Sequence, residues 1–372
     1  MKVNVRHIWI GLVCLVGINT SCTNDDASIP LTGEEAGAGH VVLSYAVAGN
    51  TLSRATEAGW NDWNENLIKR LDLFIFRDNN GLIKHYGEDL DVSASQNPGE
   101  TQNYHEWEIP TNELAPNEIE QGDQVYLIAN CPSVSTIESL ANLQAVSITG
   151  LSCHTKQEQF IMTGTAVVGA KSGNDVEITV DLIRVAAKIR LSFTGDTKWT
   201  DVSYRFVNYA STSALLEESD EQFAPQLSVY PSVESLEEVT ENTATYYETD
   251  DQLVLYSYVN NWYKEVEDPL YGEIPIDETK QTYVLLRAPY PANSSNYYYY
   301  KVPVNFQLPE DNDAVTPDES YKDLYRLQRN YIYDITVTID REGGPEREPV
   351  KPKLYYRVMS FDEKNIDIPA FE

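Results

Sequence analysis

Apolar residues along this chain come in short runs, mostly β-branched or aromatic, closed by Gly, Pro, Asn or Asp. That is the signature of strands. Val41 to Ala48 has partial alternation and stops at Gly49-Asn50, a strand followed by a turn. Leu71 to Phe76 is almost continuously apolar and ends at Asp78-Asn79-Asn80-Gly81, which predicts a buried strand entering a tight turn. Gln124 to Asn130 is of the same type, closed by Cys131-Pro132. Further strands are predicted at Thr165–Val168, Asp175–Leu182, Ala187–Phe193, Val202–Asn208, Gln252–Tyr258, Thr282–Arg287, Tyr297–Phe306 and Tyr331–Ile339. Helical signals are scarce: Ser135-Thr136-Ile137-Glu138 fits a capping box opening a short helix through Leu143. No repeat of fixed period is present, which argues against a propeller or solenoid. The predicted fold is all-β, with two tandem antiparallel β-sandwich domains, one short helix in the first, and a division near Leu182 to Arg184. Leu216 to Thr249 is acidic and weakly patterned, a long loop or an insertion in the second half.

The two ends behave differently. Lys2 and Arg6 open a leader whose apolar core, Ile8 to Ile18, is too short to span a membrane. Residues 1–21 are therefore expected to be a signal peptide, and Ile18-Asn19-Thr20-Ser21-Cys22 resembles a bacterial lipobox, with Cys22 the acylated residue. Ordinary signal-peptidase cleavage is the alternative. The polar, acidic Thr23-Asn24-Asp25-Asp26 that follows is similar to surface-export signals of Bacteroidetes lipoproteins. At the other end, a Gly-, Pro- and charge-rich linker, Asp340 to Lys353, leads to Leu354–Phe361, a turn, and Ile366–Phe371. These are two short strands with no evident local partner except each other, and an isolated hairpin is marginal in water. Tyr356 and Val358 would share one face, with Tyr355, Met359 and Phe361 on the other and Ile366 and Ile368 in a second apolar row. Such a strand gains from adding to an open sheet, or it packs on its own second domain.

Charge narrows the list of partners. The formal net charge is −31, and loss of Lys2 and Arg6 with the leader makes it two units more negative. A surface of that sign repels phosphate backbones and anionic headgroups, so nucleic acid is excluded as a partner. Cys131 and Cys153 are either a disulfide, permitted in an exported chain, or two buried thiols. No catalytic site is legible. His40, His85, His105 and His154 lack metal-ligand spacing, no phosphate loop or nucleophile elbow appears, and no cofactor or metal is implied. Glu217-Glu218-Ser219-Asp220 and Glu310-Asp311-Asn312-Asp313 do not match a calcium loop and are expected to be solvated. Tyr297 to Tyr300 is ordinary strand filling or, through alternate rings, a sugar- or protein-binding platform.

Several segments together resemble one family, the Bacteroidetes fimbrillins, subunits of type V pili. They are Lys69-Arg70-Leu71-Asp72-Leu73-Phe74-Ile75-Phe76 with its Asn-Gly turn, and Val125-Tyr126-Leu127-Ile128-Ala129-Asn130. Asp181-Leu182-Ile183-Arg184-Val185-Ala186-Ala187-Lys188-Ile189 and Gln328-Arg329-Asn330-Tyr331-Ile332-Tyr333-Asp334-Ile335 complete the set, in this order and over most of the chain. The resemblance implies two transthyretin-like sandwiches and a lipidated precursor at the outer membrane. An arginine-specific surface protease would cut the loop after the first strand, and a neighbouring subunit's C-terminal extension would replace that strand. On this chain the cut falls at Arg54-Ala55, in the small, polar loop Thr51 to Gly59, where the plain reading of Arg54 is a solvated loop arginine. The implied layout is a leader (1–21), a propeptide with the detachable strand (22–54), two sandwiches (55–183 and 184–350) and a donor extension (351–372). The expected role is a non-enzymatic structural subunit of a fimbria, partnered by other fimbrial subunits and a host or bacterial surface receptor. The alternatives are a fimbrial anchor, a tip adhesin, or a surface glycan-binding lipoprotein.

Overall fold

Strand periodicity is plainest in Val176–Arg184, where Val176, Ile178, Val180, Leu182 and Arg184 are buried while Glu177, Thr179 and Asp181 face solvent. The computed structural model describes residues 39–372 except 48–55, 59–62, 79–80, 91–104, 133, 135, 172, 197, 199–200, 240–243, 248–249, 265–275, 307–323 and 363–372. The strands begin with β1 (Val41–Val47), β2 (Thr56–Ala58), β3 (Arg70–Arg77), β4 (Gly81–Asp89), β5 (His105–Ile109), β6 (Gln124–Ala129) and β7 (Ser147–Ile148). Next come β8 (Met162–Val167), β9 (Val176–Arg184), β10 (Ala187–Thr194), β11 (Ser203–Ala210), β12 (Ser213–Ala214), β13 (Leu227–Tyr230), β14 (Glu237–Glu238) and β15 (Ala244–Tyr247). The last are β16 (Asp250–Ser257), β17 (Asn260–Asn261), β18 (Tyr283–Pro289), β19 (Tyr297–Pro303), β20 (Arg326–Leu327), β21 (Tyr331–Thr338) and β22 (Lys353–Asp362).

One sheet of order β4-β3-β6-β8-β9-β1-β5 forms the first sandwich. It folds over at β8 and β9, which share only the pairs Met162↔Arg184 and Thr163↔Ile183, and its inward faces enclose the first core. The second sandwich packs a sheet of order β15-β16-β10-β21-β22-β2 against one of order β13-β11-β18-β19. Between β9 and β10 the chain passes from the first sandwich to the second through Val185 and Ala186, and Val254, Tyr256 and Tyr258 reach back into the first core.

The sheets are mixed, not purely antiparallel. β1 lies parallel to β9, β10 parallel to β21, and β2 parallel to β22. The first sandwich thus opens with a strand parallel to its last strand, and the second with one parallel to its next-to-last. The first strand also has an antiparallel neighbour, β5 for β1 and β16 for β10. The short helix α1 spans Leu140–Gln144 and starts later than the capping box at Ser135 predicts. Ser139 supplies the cap, its oxygen accepting from the Asn142 N–H at 3.2 Å, which places Leu140 and Leu143 in the core. Leu216 to Thr249 is not featureless: it carries a 3-10 turn, Glu217–Gln222, and strands β13 to β15.

Candidate assembly site

β1 is the element on which assembly would turn. Seven of its residues pair with Val176–Leu182 of β9, and Val41 to Tyr45 pair with Ile109 to His105 of β5. Val41, Leu43, Tyr45 and Val47 point into the first core, and Leu43 is fully buried. The side chains they meet include Trp107, Ile109, Ile178 and Val180. At about 1.5 to 3 kcal/mol for each large apolar side chain, withdrawing β1 would forgo roughly 6 to 12 kcal/mol of burial and leave both neighbours with open edges. The groove would therefore demand another strand. β1 is tied to the rest of the fold by the segment 48–55 on its C-terminal side, whereas its counterpart β10 is held at the junction by the two-residue link from β9.

The C-terminal strand β22 is seated on its own sandwich. Tyr331–Thr338 of β21 pairs antiparallel with Ser360–Lys353, and residues 360–362 pair in turn with β2. Leu354 and Tyr356 are buried in the second core with Val358 beside them, while Met359 packs against Ile332 on the opposite face. The Tyr356 hydroxyl donates to the Pro303 carbonyl at 2.8 Å, and burial pushes its pKa well up, so it remains a donor. Leu354–Phe361 thus has the local partner that the sequence did not disclose: β21, whose own pattern says nothing about which strand lies beside it. Phe361 is in register with Glu57. Ile366 and Ile368 lie outside the described residues, as do Cys22, Arg54 and Ala55. The segment holding Arg54 joins β1, in the first sandwich, to β2, at the edge of the second.

The motif residues converge on the junction between the sandwiches, where their roles are structural. Glu65 and Lys188, both fully buried side chains, pair at 3.0 Å, and the Tyr256 hydroxyl also donates to Glu65. The Arg184 Nε donates to the Glu65 carbonyl at 2.7 Å, its Nη1 to Asn330 Oδ1 at 3.2 Å, and its Nη2 to Asn66. Burial and then the Glu65 carboxylate hold the Tyr256 phenol far above its ordinary range. Arg329 pairs with Asp220 and donates to the Leu215 carbonyl at 3.0 Å, fixing the 3-10 turn of the second half. Asn130, at φ 61°, accepts from the Lys69 N–H and donates to the Leu67 and Phe160 carbonyls. Only Asn, Asp or Gly readily takes that backbone conformation, and Asn alone can also make these bonds.

Cys131 and Cys153 form no disulfide; both are buried, one in each core. Burial pushes the Cys153 thiol up to about 12, which makes it inert near neutrality. In the tyrosine run, Tyr300 is core while Tyr297 is 40% exposed, with the Arg287 guanidinium 4.1 Å above its ring. Among the described residues no cluster of His, Cys, Asp and Glu is arranged to hold a metal, and no helix is long and apolar enough to cross a membrane.

Two sandwiches in tandem, with β1 parallel to the last strand of the first and β10 parallel to the next-to-last strand of the second, give the chain a fold shared with solved fimbrial proteins. It is similar to the tip fimbrial protein Mfa3 of Porphyromonas gingivalis, solved with a C-terminal truncation, at 13% identity, TM-score 0.52, 87% of this chain and 99% of that one. The fimbrilin FimA of P. gingivalis W83 gives 13% identity, TM-score 0.52, and 88% and 99% coverage. A candidate cell adhesion protein from Bacteroides eggerthii gives 15%, 0.53, and 87% and 97%. In sequence, residues 40–198 match the family described as major fimbrial subunit protein (FimA), so the first sandwich and β10 carry a fimbrillin signature. No curated protein matches in sequence.

Proposed function

We propose that this chain is a structural subunit of a type V fimbria, exported as a lipoprotein acylated at Cys22 and matured at the cell surface. An arginine-specific protease cuts at Arg54-Ala55, β1 leaves, and a strand from the C-terminal extension of another subunit takes its place. The observation that carries this reading is the position of β1: a buried strand, hydrogen-bonded on both sides, joined to the following chain by the segment that contains Arg54. β22 supplies the complementary part, a strand of alternating apolar residues at the chain's end. The role is structural, in adhesion or biofilm formation, with other fimbrial subunits as partners and a surface receptor at the polymer's tip or flank.

The test is the intact mass and N-terminal residue of the protein recovered from its own cells, alongside a strain lacking residues 354–372. The expected result is a start at Ala55 and polymers that vanish in the deletion. A start at acylated Cys22 with the 48–55 segment uncut would overturn the processing step and assign the chain to the fimbrial anchor.

A further inference from the structure

A groove of about 680 Å³ runs along the line where the second half of the chain lies on the first sandwich. One wall is β6 and helix α1; the other is the 3-10 turn Glu217–Gln222 and Phe223. Nothing in assembly requires it, since β1 and β22 are elsewhere. Its chemistry is unusual for so acidic a surface. Three amides, Gln124, Gln144 and Gln222, and one carboxylate, Glu218, surround the half-buried Phe223 ring and the hydroxyl end of the buried Tyr126, and no lysine, arginine or histidine is among its described lining residues.

Two donors of the groove itself already orient the carboxylate. Gln144 Nε2 donates to Glu218 Oε1 at 2.6 Å, and the Tyr126 hydroxyl approaches the same oxygen at 3.4 Å. Burial first, then the nearby Glu218 charge, raises the Tyr126 phenol to about 12, which keeps it a donor near neutrality. Gln222 is exposed and its side chain makes no hydrogen bond among the described residues, so its amide is available to both a donor and an acceptor. Arg329 anchors the turn from behind through Asp220, so the wall is held rigid by a contact that takes no part in the groove.

We propose that this groove binds a neutral saccharide. A pyranose presents hydroxyls that each donate and accept, matched by amides and a carboxylate, and a C–H face that packs on an aromatic ring. Glu218, with no cation beside it, disfavours phosphate, sulfate or sialic acid, and the net charge of −31 adds to that exclusion. Because one wall belongs to each half of the chain, an occupant bridges them. The site is independent of strand exchange and would be present in a monomer.

The test is a glycan array carrying neutral, sialylated, sulfated and amine-bearing oligosaccharides, probed with the purified chain. Hits are then titrated by calorimetry against Glu218→Ala and Gln222→Ala variants of unchanged melting temperature. Binding to neutral members, weakened at least about tenfold by Glu218→Ala, as expected for a hydrogen bond to a charged group, supports the site. Gln222→Ala, at an exposed position, should weaken the same hits and gives a reading even where Glu218→Ala fails to fold. No array signal, signal confined to charged glycans, or affinity untouched by both substitutions overturns it.

Discussion

Glu65 is the residue on which the electrostatics of the junction depend, and nothing in its local sequence announces that. It sits in Trp63-Asn64-Glu65-Asn66, a polar stretch whose composition resembles any loop, yet its carboxylate is buried against Lys188 and Tyr256. Its partners lie more than a hundred residues away, so only the fold reveals the pair. Removing one member of a buried pair strands the other charge. Glu65→Leu should therefore cost about 3 to 5 kcal/mol in urea unfolding, and adding Lys188→Met should recover at least half of the loss. Asp123 offers a second test. The Arg77 guanidinium holds its carboxyl below the usual range, with the Glu120 N–H adding to the effect. A depressed folded pKa contributes stability that is complete above the unfolded value of about 4 and lost as pH falls through the folded one. Wild type should thus exceed Asp123→Asn in urea midpoint at pH 6, with the gap closing as pH drops toward 3. Asn130 and Arg184, by contrast, were legible as motif residues, but their roles were not: both satisfy buried backbone or amide groups and neither faces a partner.

At the scale of elements, β1, β3, β6, β9, β10, β11, β16, β18, β19 and β21 were visible because buried strands repeat with period two or run continuously apolar. β4 was not. Its residues Leu82 to Glu88 are all half-buried and polar positions fall on both faces, so no period survives. Pairing was also hidden, since pattern sets which face of a strand is buried but not which neighbour it has. β1 shows what the buried face contributes. Leu43→Ala should cost about 2 to 5 kcal/mol, as a fully buried leucine does, whereas Val42→Ala on the half-buried face should cost well under half as much. Equal losses would mean that β1 is not held by its core face. β22 should respond likewise: removing residues 353–372 uncovers the edge of β21, and the purified truncated chain is expected to form irregular aggregates, with raised light scattering but no fibres in electron micrographs.

On the scale of the whole molecule, two β-sandwiches were foreseeable from strand spacing and the scarcity of helix. The parallel pairing was not, because it joins the start of each sandwich to its end across more than a hundred residues. The overall charge makes its own prediction. Molecules at −31 repel one another, so any polymerisation of the chain should speed up as salt is raised from low to physiological ionic strength. Slower growth in salt would point to ion pairs between subunits. The parallel register between β1 and β9 has a mechanical meaning as well. Whichever strand occupies that groove is bonded to β9 along seven residue pairs, and β9 leads within two residues into β10 at the centre of the next sheet. Tension along the strand axis would act in shear, straining all of those bonds together instead of peeling them singly. A fibre joined in that way would resist pulling like a lap joint, and its weakest link under load would be the one strand that no covalent bond holds.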